Sequence, residues 1–289
     1  KLFFILLFYL NTSRIKYLDI LNMCNLVIFG ASGDISRKKI FPGLYEWYLE
    51  ENKCLNKIIG YGRSKFNKNE FDEKIGIYDN EFLNHFDYQI GEYDKYDDFI
   101  NLKDKIEGCI EPGSILLFYF GVPSELAPKI IKNIVLTHLN NKYDCRYIIE
   151  KPIGKDLVSC EKIFDLIRFL IEIDRVYIID HYLGKKNLIT LMNTEKKKVE
   201  KIIMYLNEVE NVDHRLEYFD QVGLFKDMVQ SHVLTILIYC FNDLFTVTDY
   251  NNLDIRDCIK GQYIGYDGSK STETYLKLNL EWNNVEIDI

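Results

Sequence analysis

Short apolar runs alternate with helical patterns between Met23 and Ile179. The apolar runs are continuous rather than alternating, which is typical of parallel strands that are covered on both faces. They are Asn25–Phe29, Lys57–Tyr61, Ile115–Gly121, Arg146–Glu150 and Arg175–Ile179. The helical patterns between them are Lys38–Glu50, Tyr96–Glu107, Ser124–Leu139 and Ser159–Ile173. Strands that alternate with helices predict right-handed βαβ units and an α/β fold with a doubly wound parallel sheet.

After residue 180 the pattern changes to that of an α+β domain with a mainly antiparallel sheet. Strands are predicted at Lys201–Asn207, Thr272–Glu281 and Val285–Ile289, and a long helix at Phe219–Cys240. The last strand pattern stops without a turn or cap, so we expect this second domain to be incomplete. The predicted organisation is an extension outside the fold (1–22), a nucleotide-binding domain (23–180) and the α+β domain (181–289).

Composition narrows the function classes. The chain has 36 basic and 44 acidic residues, a net charge of −8, and no basic block, which argues against a nucleic-acid partner. Its seven cysteines never approach CxxC spacing, so we expect no metal site, and a scattered odd set suits the reducing cytoplasm. The apolar run Leu2–Leu10 is too short to span a bilayer, which needs ~20 residues, so no membrane partner is expected.

A glycine-rich loop follows the first predicted strand. Its residues are Gly30, Ala31, Ser32, Gly33 and Asp34, and a helix begins directly after them. Backbone N–H groups at such a helix start can bind a phosphate, and the glycines allow close approach. The sequence therefore predicts a Rossmann-like dinucleotide site formed by these five residues. A tight turn in which Asp34 or Ser36 caps the helix is the alternative.

The end of the second predicted strand indicates which dinucleotide is bound. NAD sites usually carry an acidic residue here for the ribose 2′-hydroxyl, whereas this chain has Arg63, Ser64 and Lys65. A guanidinium suits a 2′-phosphate, so Arg63 favours NADP as the cofactor. A solvated basic turn would have the same composition.

Motifs farther along the chain resemble those of the glucose-6-phosphate dehydrogenase family. They are Glu150–Leu157 (EKPIGKDL), Ile179–Lys185 (IDHYLGK), Tyr218–Gly223 (YFDQVG) and Lys226–His232 (KDMVQSH), and they occur in the family's order. The resemblance implies conversion of glucose 6-phosphate and NADP to 6-phosphogluconolactone and NADPH, the first step of the oxidative pentose phosphate pathway. It also implies a homodimer.

The resemblance assigns the proton chemistry to two residues. His232 matches the family's general base, and Asp180 matches the carboxylate that orients it and stabilises the imidazolium, as in a catalytic triad. Periodicity alone would not select His232. On an ideal α-helix Asp227 and His232 lie about 140° apart, so we expect them on different faces.

The same resemblance implies the substrate-binding residues. Lys151 matches a lysine that contacts both substrate and nicotinamide, and Lys151–Pro152 is a candidate cis peptide. Three residues match the substrate-phosphate site and two match acceptors for sugar hydroxyls. The phosphate residues are His181, Tyr182 and Lys185, and the acceptors are Glu208 and Asp227.

Two alternatives stay open at this point. Family members continue through further strands that carry substrate-binding Lys and Arg residues, so the chain could be a catalytically impaired fragment or pseudoenzyme that retains NADP binding, at most a subunit of a longer partner. It could also be another sugar dehydrogenase with a Glu-Lys-Pro motif after a Rossmann strand, although His181, Tyr182 and Lys185 favour a phosphorylated substrate.

Overall fold

A computed structural model describes residues 24–50, 55–76, 78–180, 199–207, 216–241 and 252–289, with positions 182, 188, 211, 212 and 249. The chain divides into two compact units, Lys1–Gly184 and Lys185–Ile289, and each is described here by itself. The predicted extension (1–22) lies outside the described residues.

The first unit is built on a six-stranded parallel sheet in the order β3-β2-β1-β4-β5-β6. This is the strand order of a doubly wound dinucleotide-binding fold, and it confirms the predicted class. The strands are β1 (Cys24–Phe29), β2 (Leu55–Gly62), β3 (Phe86–Ile90), β4 (Ile115–Phe120), β5 (Asp144–Glu150) and β6 (Val176–Ile179). Five match predicted runs, whereas β3 was missed because this edge strand alternates between buried and half-exposed positions.

Helices cover both faces of the parallel sheet. Along β1, Leu26 and Ile28 face one apolar core, and Val27 and Phe29 face the other. The helices are a first π-helix (Ser36–Ile40), α1 (Phe41–Glu50), α2 (Lys68–Ile75), α3 (Asn80–Leu83), α4 (Tyr96–Glu107), α5 (Ala127–Leu136) and α6 (Leu157–Leu170). Burial on both faces is the physical reason for the unbroken apolar runs.

The second unit contains a four-stranded sheet in the order β7-β10-β9-β8. Its strands are β7 (Lys201–Ile203), β8 (Asp254–Gly261), β9 (Tyr275–Trp282) and β10 (Val285–Asp288). Pairing is antiparallel except between β10 and β7, so the mainly antiparallel prediction is confirmed. The edge strand β8 was not predicted, since nearly all of its residues are exposed and no burial pattern marks it.

The predicted long helix of this unit is divided into three parts. They are α7 (Leu216–Leu224), a second π-helix (Phe225–Val233) and α8 (Leu234–Cys240), with a kink at Gly223. Within the described ranges, no helix is both long and apolar enough to cross a lipid bilayer.

Candidate active site

The glycine turn lies at the carboxyl end of β1, where the strand order reverses between β1 and β4. The Gly33 N–H donates to the Gly30 carbonyl oxygen at 2.9 Å, and the Ser36 hydroxyl donates to the same oxygen at 3.0 Å. Gly30 has φ 79°, and a Cβ there would lie 2.2 Å from the Gly121 carbonyl oxygen. Open α/β sheets bind ligands at this switch point, so the turn lies where a dinucleotide site is expected.

Asp34, at the first position of the helix, pairs with cations of its own helix. Its carboxylate oxygens lie 3.3 Å from Arg37 Nη2 and 3.6 Å from Lys38 Nζ. Lys38 and Arg37 hold the pKa of Asp34 below its ordinary value. Ser36 donates its hydroxyl to Gly30, which explains its full burial.

Hydroxyl groups connect the glycine turn to the end of β2. The Ser64 hydroxyl donates to the Ser32 hydroxyl at 3.1 Å, and the Tyr88 hydroxyl donates to the Ser64 carbonyl oxygen at 3.0 Å. Arg63 is exposed beside them, with its guanidinium carbon 5.9 Å from the centre of the Tyr93 ring. Tyr93 was not predicted, because its contact with Arg63 depends on the unpredicted strand β3.

This set of groups fits a dinucleotide phosphate. Helical backbone begins at Asp34 and continues into the first π-helix, and the N–H groups in the first turn of a helix lack intrahelical partners and favour an anion. Ser32, which accepts the proton of the Ser64 hydroxyl, can donate its own, and Arg63 supplies a cation at the same edge of the sheet. No acidic residue occupies 63–65, where an NAD site would place one.

The ends of β5 and β6 bring three predicted site residues together. The Lys151 ammonium donates to Asp180 Oδ2 at 2.9 Å, and the Tyr182 N–H donates to Asp180 Oδ1 at 2.9 Å. The Asp180 side chain is only 1% exposed, whereas that of Lys151 is 28% exposed. The Lys151–Pro152 peptide is cis, as expected. The family motifs selected all three residues from the sequence but did not pair Lys151 with Asp180.

A buried hydroxyl–carboxylate pair lies next to Lys151. The Tyr119 hydroxyl, at the end of β4, donates to Glu150 Oε1. Burial raises the pKa of Glu150, and the bond from Tyr119 and the charge of Lys39 oppose that shift. Sequence reasoning missed this pair, because only the alignment of β4 with β5 brings the two residues together.

The second π-helix corrects the expected arrangement of Asp227 and His232. A π-helix joins residues i and i+5 through the backbone, so residues five apart lie about one turn apart on the same side. The α-helical spacing used in the sequence analysis had put them on different faces. His232 is buried and Asp227 is half-buried.

Three predicted site residues, His181, Lys185 and Glu208, lie outside the described residues. The remaining ones fall into two groups: the glycine turn, Arg63, Lys151, Asp180 and Tyr182 in the first unit, and Asp227 and His232 in the second. Among the described residues, no group of three or more His, Cys, Asp or Glu side chains is placed to hold a metal ion.

The strand order, the glycine turn at the switch point and the polar groups around it define a nicotinamide-dinucleotide-binding α/β protein of the dehydrogenase class. The model of the glucose-6-phosphate dehydrogenase NAD-binding domain matches residues 27–190, and that of the C-terminal domain matches residues 183–259. The chain belongs to the glucose-6-phosphate dehydrogenase family.

Individual relatives agree with this assignment. The glucose-6-phosphate 1-dehydrogenase of Ceratitis capitata is 34% identical, over 83% of this chain and 53% of the relative. The enzyme of the same name from Helicobacter pylori strain J99 is 33% identical, over 76% of this chain and 55% of the relative. The chain therefore spans about half the length of the curated relatives it matches.

Solved structures share the fold. The glucose-6-phosphate 1-dehydrogenase of Mycobacterium avium has a TM-score of 0.71 and 25% identity, over 91% of this chain and 67% of that one. A glucose-6-phosphate dehydrogenase in complex with its substrate glucose-6-phosphate has a TM-score of 0.74 and 24% identity, over 92% of this chain and 68% of that one.

Proposed function

We propose that this chain takes part in oxidising glucose 6-phosphate to 6-phosphogluconolactone with reduction of NADP to NADPH. The observation that carries the proposal is the Lys151–Asp180 pair at the carboxyl edge of the sheet that also bears the glycine turn, in a chain of this family. This edge combines the glycine turn with a buried carboxylate and a partly exposed ammonium, and such groups can hydrogen-bond and orient a bound sugar.

The first unit holds NADP in this proposal. Gly30–Asp34 cradle the pyrophosphate with backbone N–H groups, and Arg63 pairs with the 2′-phosphate. Bound NADP supplies the hydride acceptor. The absence of an acidic side chain at 63–65 removes the group that would repel a 2′-phosphate, so NADP is favoured over NAD.

Residues that follow β6 bind the substrate phosphate. His181, Tyr182 and Lys185 supply two directional donors and one cation, the combination that a phosphate monoester requires. The Tyr182 N–H is held by Asp180, and its side chain is 5% exposed. The start of the phosphate-binding segment is thus attached to the carboxylate that serves the chemistry.

His232 acts as the general base. Its imidazole takes the C1-hydroxyl proton, and Asp180 orients it and stabilises the resulting imidazolium, which are the roles that the family motifs imply for these two residues. Asp227 and Glu208 accept hydrogen bonds from sugar hydroxyls, and Lys151 contacts both substrate and nicotinamide. The π-helix supports this division, since it presents Asp227 and His232 on one side.

The cellular setting of the reaction belongs to the same proposal. We place it in the cytoplasm, supported by a 31% identical relative that is named a cytoplasmic isoform in Solanum tuberosum. Homodimerisation, expected from the family, stays a prediction.

The test is NADPH formation by the purified chain with glucose 6-phosphate and NADP. We expect His232→Asn to lower kcat by about 10²–10⁴-fold, with the Kd for NADP unchanged. His138→Asn is the matched control, because His138 is exposed and has φ 63°, a conformation that asparagine tolerates.

Two results would contradict the proposal. Equal rates with free glucose would refute the phosphate assignment. Absence of turnover by folded chain that still binds NADP would show that this chain does not perform the reaction by itself.

A further inference from the structure

The second π-helix begins against a carboxylate from a distant part of the chain. The Phe225 N–H donates to Glu273 Oε1 at 2.9 Å, and the Leu224 N–H donates to the Glu273 carbonyl oxygen at 3.2 Å. Glu273 lies two residues before β9. One residue therefore accepts from two successive N–H groups at the start of this helix, where such groups have no intrahelical partner.

Gly223 makes this contact possible. Its φ of 71° and ψ of 165° interrupt the helix between α7 and the π-helix. A Cβ at Gly223 would lie 3.0 Å and 3.2 Å from the two carboxylate oxygens of Glu273. The kink and the close approach of the carboxylate both require glycine at this position.

The loop that carries Glu273 is also attached on the other side of the kink. Asp220 accepts from the Tyr266 hydroxyl at 2.9 Å and from the Ser269 N–H at 2.6 Å. The Thr272 hydroxyl donates to the Asp220 carbonyl oxygen at 3.1 Å. The loop 262–274 is thus bonded to the helix before and after Gly223.

The start of a helix determines which way its side chains face. In an α-helix, beginning one residue earlier or later rotates every following side chain by about 100°. The bond from the Phe225 N–H to Glu273 fixes the residue at which this helix starts. Ser231 supports the i+5 spacing farther along the helix, because its hydroxyl donates to the Lys226 carbonyl oxygen at 2.9 Å. The orientation of Asp227 and His232 therefore depends on the contacts at Phe225.

We infer that Glu273 is a positioning residue, which fixes the start of the second π-helix and so orients Asp227 and His232 for reaction. The inference rests on the proposed function for the roles of those two residues. Glu273 accepts hydrogen bonds from the backbone of Leu224 and Phe225, so its effect on Asp227 and His232 is transmitted through the helix.

The first measurement follows the helix start independently of activity. Amide spectra of chain labelled with 15N-phenylalanine report Phe225, and imidazole spectra report the five histidines, with His232→Asn assigning the His232 signal. We expect Glu273→Ala to shift both the Phe225 and His232 signals. Glu273→Gln, which keeps an acceptor oxygen at the same reach, should leave both near their original positions.

Glu281→Ala is the matched control, because Glu281 is a carboxylate on β9 that pairs with Arg256, 3.1 Å away. It should move neither signal. Where Glu273→Ala does not fold, Glu273→Asp replaces it, since the shorter side chain keeps the charge but loses the reach to the Phe225 N–H. Glu273→Asp should then shift both signals, whereas Glu273→Gln should not.

Kinetics provide the second measurement. We expect Glu273→Ala to lower kcat by about tenfold, the effect of losing one hydrogen bond, with KM for NADP unchanged. Glu273→Gln should recover most of the rate. A purely stabilising role would lower the unfolding midpoint without this split between kcat and KM.

Several outcomes would overturn the inference. They are an unmoved Phe225 or His232 signal in Glu273→Ala, equal effects of the Ala and Gln substitutions, or equal losses in kcat and in NADP binding. If the unsubstituted chain shows no turnover, the proposed function fails on its own, and the spectra alone decide whether Glu273 orients the helix.

Discussion

Replacing Gly30 with alanine should destabilise the first unit more than any other single methyl addition to the glycine turn. The left-handed φ of 79° costs an alanine about 1–2 kcal/mol. The new Cβ would lie 2.2 Å from the Gly121 carbonyl oxygen, and overpacking of this kind typically costs about 1–3 kcal/mol. Gly121 cannot move freely, because its N–H donates to the Phe29 carbonyl oxygen at 2.9 Å. The expected loss is about 3 kcal/mol, a large part of an ordinary domain's stability.

Gly33→Ala is the matched control in the same turn. Gly33 lies outside the left-handed region, and its Cβ would meet only the Gly30 carbonyl oxygen, at 3.1 Å. The mild contact is offset by about 0.4–1 kcal/mol, because alanine restricts the unfolded chain more than glycine does. The two substitutions add the same methyl group, so the difference between them measures the backbone requirement at Gly30.

Tryptophan fluorescence during urea unfolding can measure the two units separately. Trp47 and Trp282 are the only tryptophans; both are buried, and each lies in a different unit. In a Trp282→Phe background the signal reports the first unit alone. The reasoning would be refuted if Gly30→Ala lowered the free energy of unfolding no more than Gly33→Ala.

Three further predictions concern the first unit. Arg63→Ala should raise the Kd for NADP by about tenfold or more and leave that for NAD nearly unchanged in calorimetric titration, whereas equal losses would make Arg63 an ordinary surface residue. Asp180→Asn should lower the free energy of unfolding by about 1–3 kcal/mol in urea, because Lys151 loses its charge partner while the Tyr182 N–H keeps its acceptor. An unchanged urea midpoint would contradict the importance of the ion pair. Burial raises the pKa of the Glu150 carboxyl above its ordinary value of 4.5. The contribution of Glu150 to stability is therefore fully present below pH 4.5, and it is lost as the pH rises through the pKa of the folded state. At pH values above the folded-state pKa, Glu150→Gln should therefore have a higher free energy of unfolding relative to the original chain than it has at low pH. Free energies of unfolding that change with pH in parallel for the two proteins would refute this.

The elements of the first unit could be predicted because their burial is uniform. Both faces of β1, β4 and β5 are covered, so each strand has consecutive apolar residues at its centre, as in Leu26–Phe29 and Tyr147–Ile149. The helix α4 was predicted with its observed bounds, since Phe99, Leu102 and Ile106 repeat at helical spacing and are fully buried. The edge strands β3 and β8 were missed for the opposite reason, because partial or complete exposure leaves no such pattern.

The amino-acid sequence by itself determined the succession of strands and helices, the glycine turn with Arg63 after the next strand, and the motifs of the family. These are local properties, set by burial, by backbone freedom at glycine and by side-chain chemistry over a few neighbouring residues. Only the tertiary structure decided the pairing of Lys151 with Asp180, of Ser32 with Ser64 and of Glu273 with Phe225. Each pair joins residues tens of positions apart, so it exists only after strand order and helix starts are set by packing across the whole unit. The π-helical spacing that aligns Asp227 with His232 is decided in the same way, because it departs from the α-helical period that sequence patterns assume.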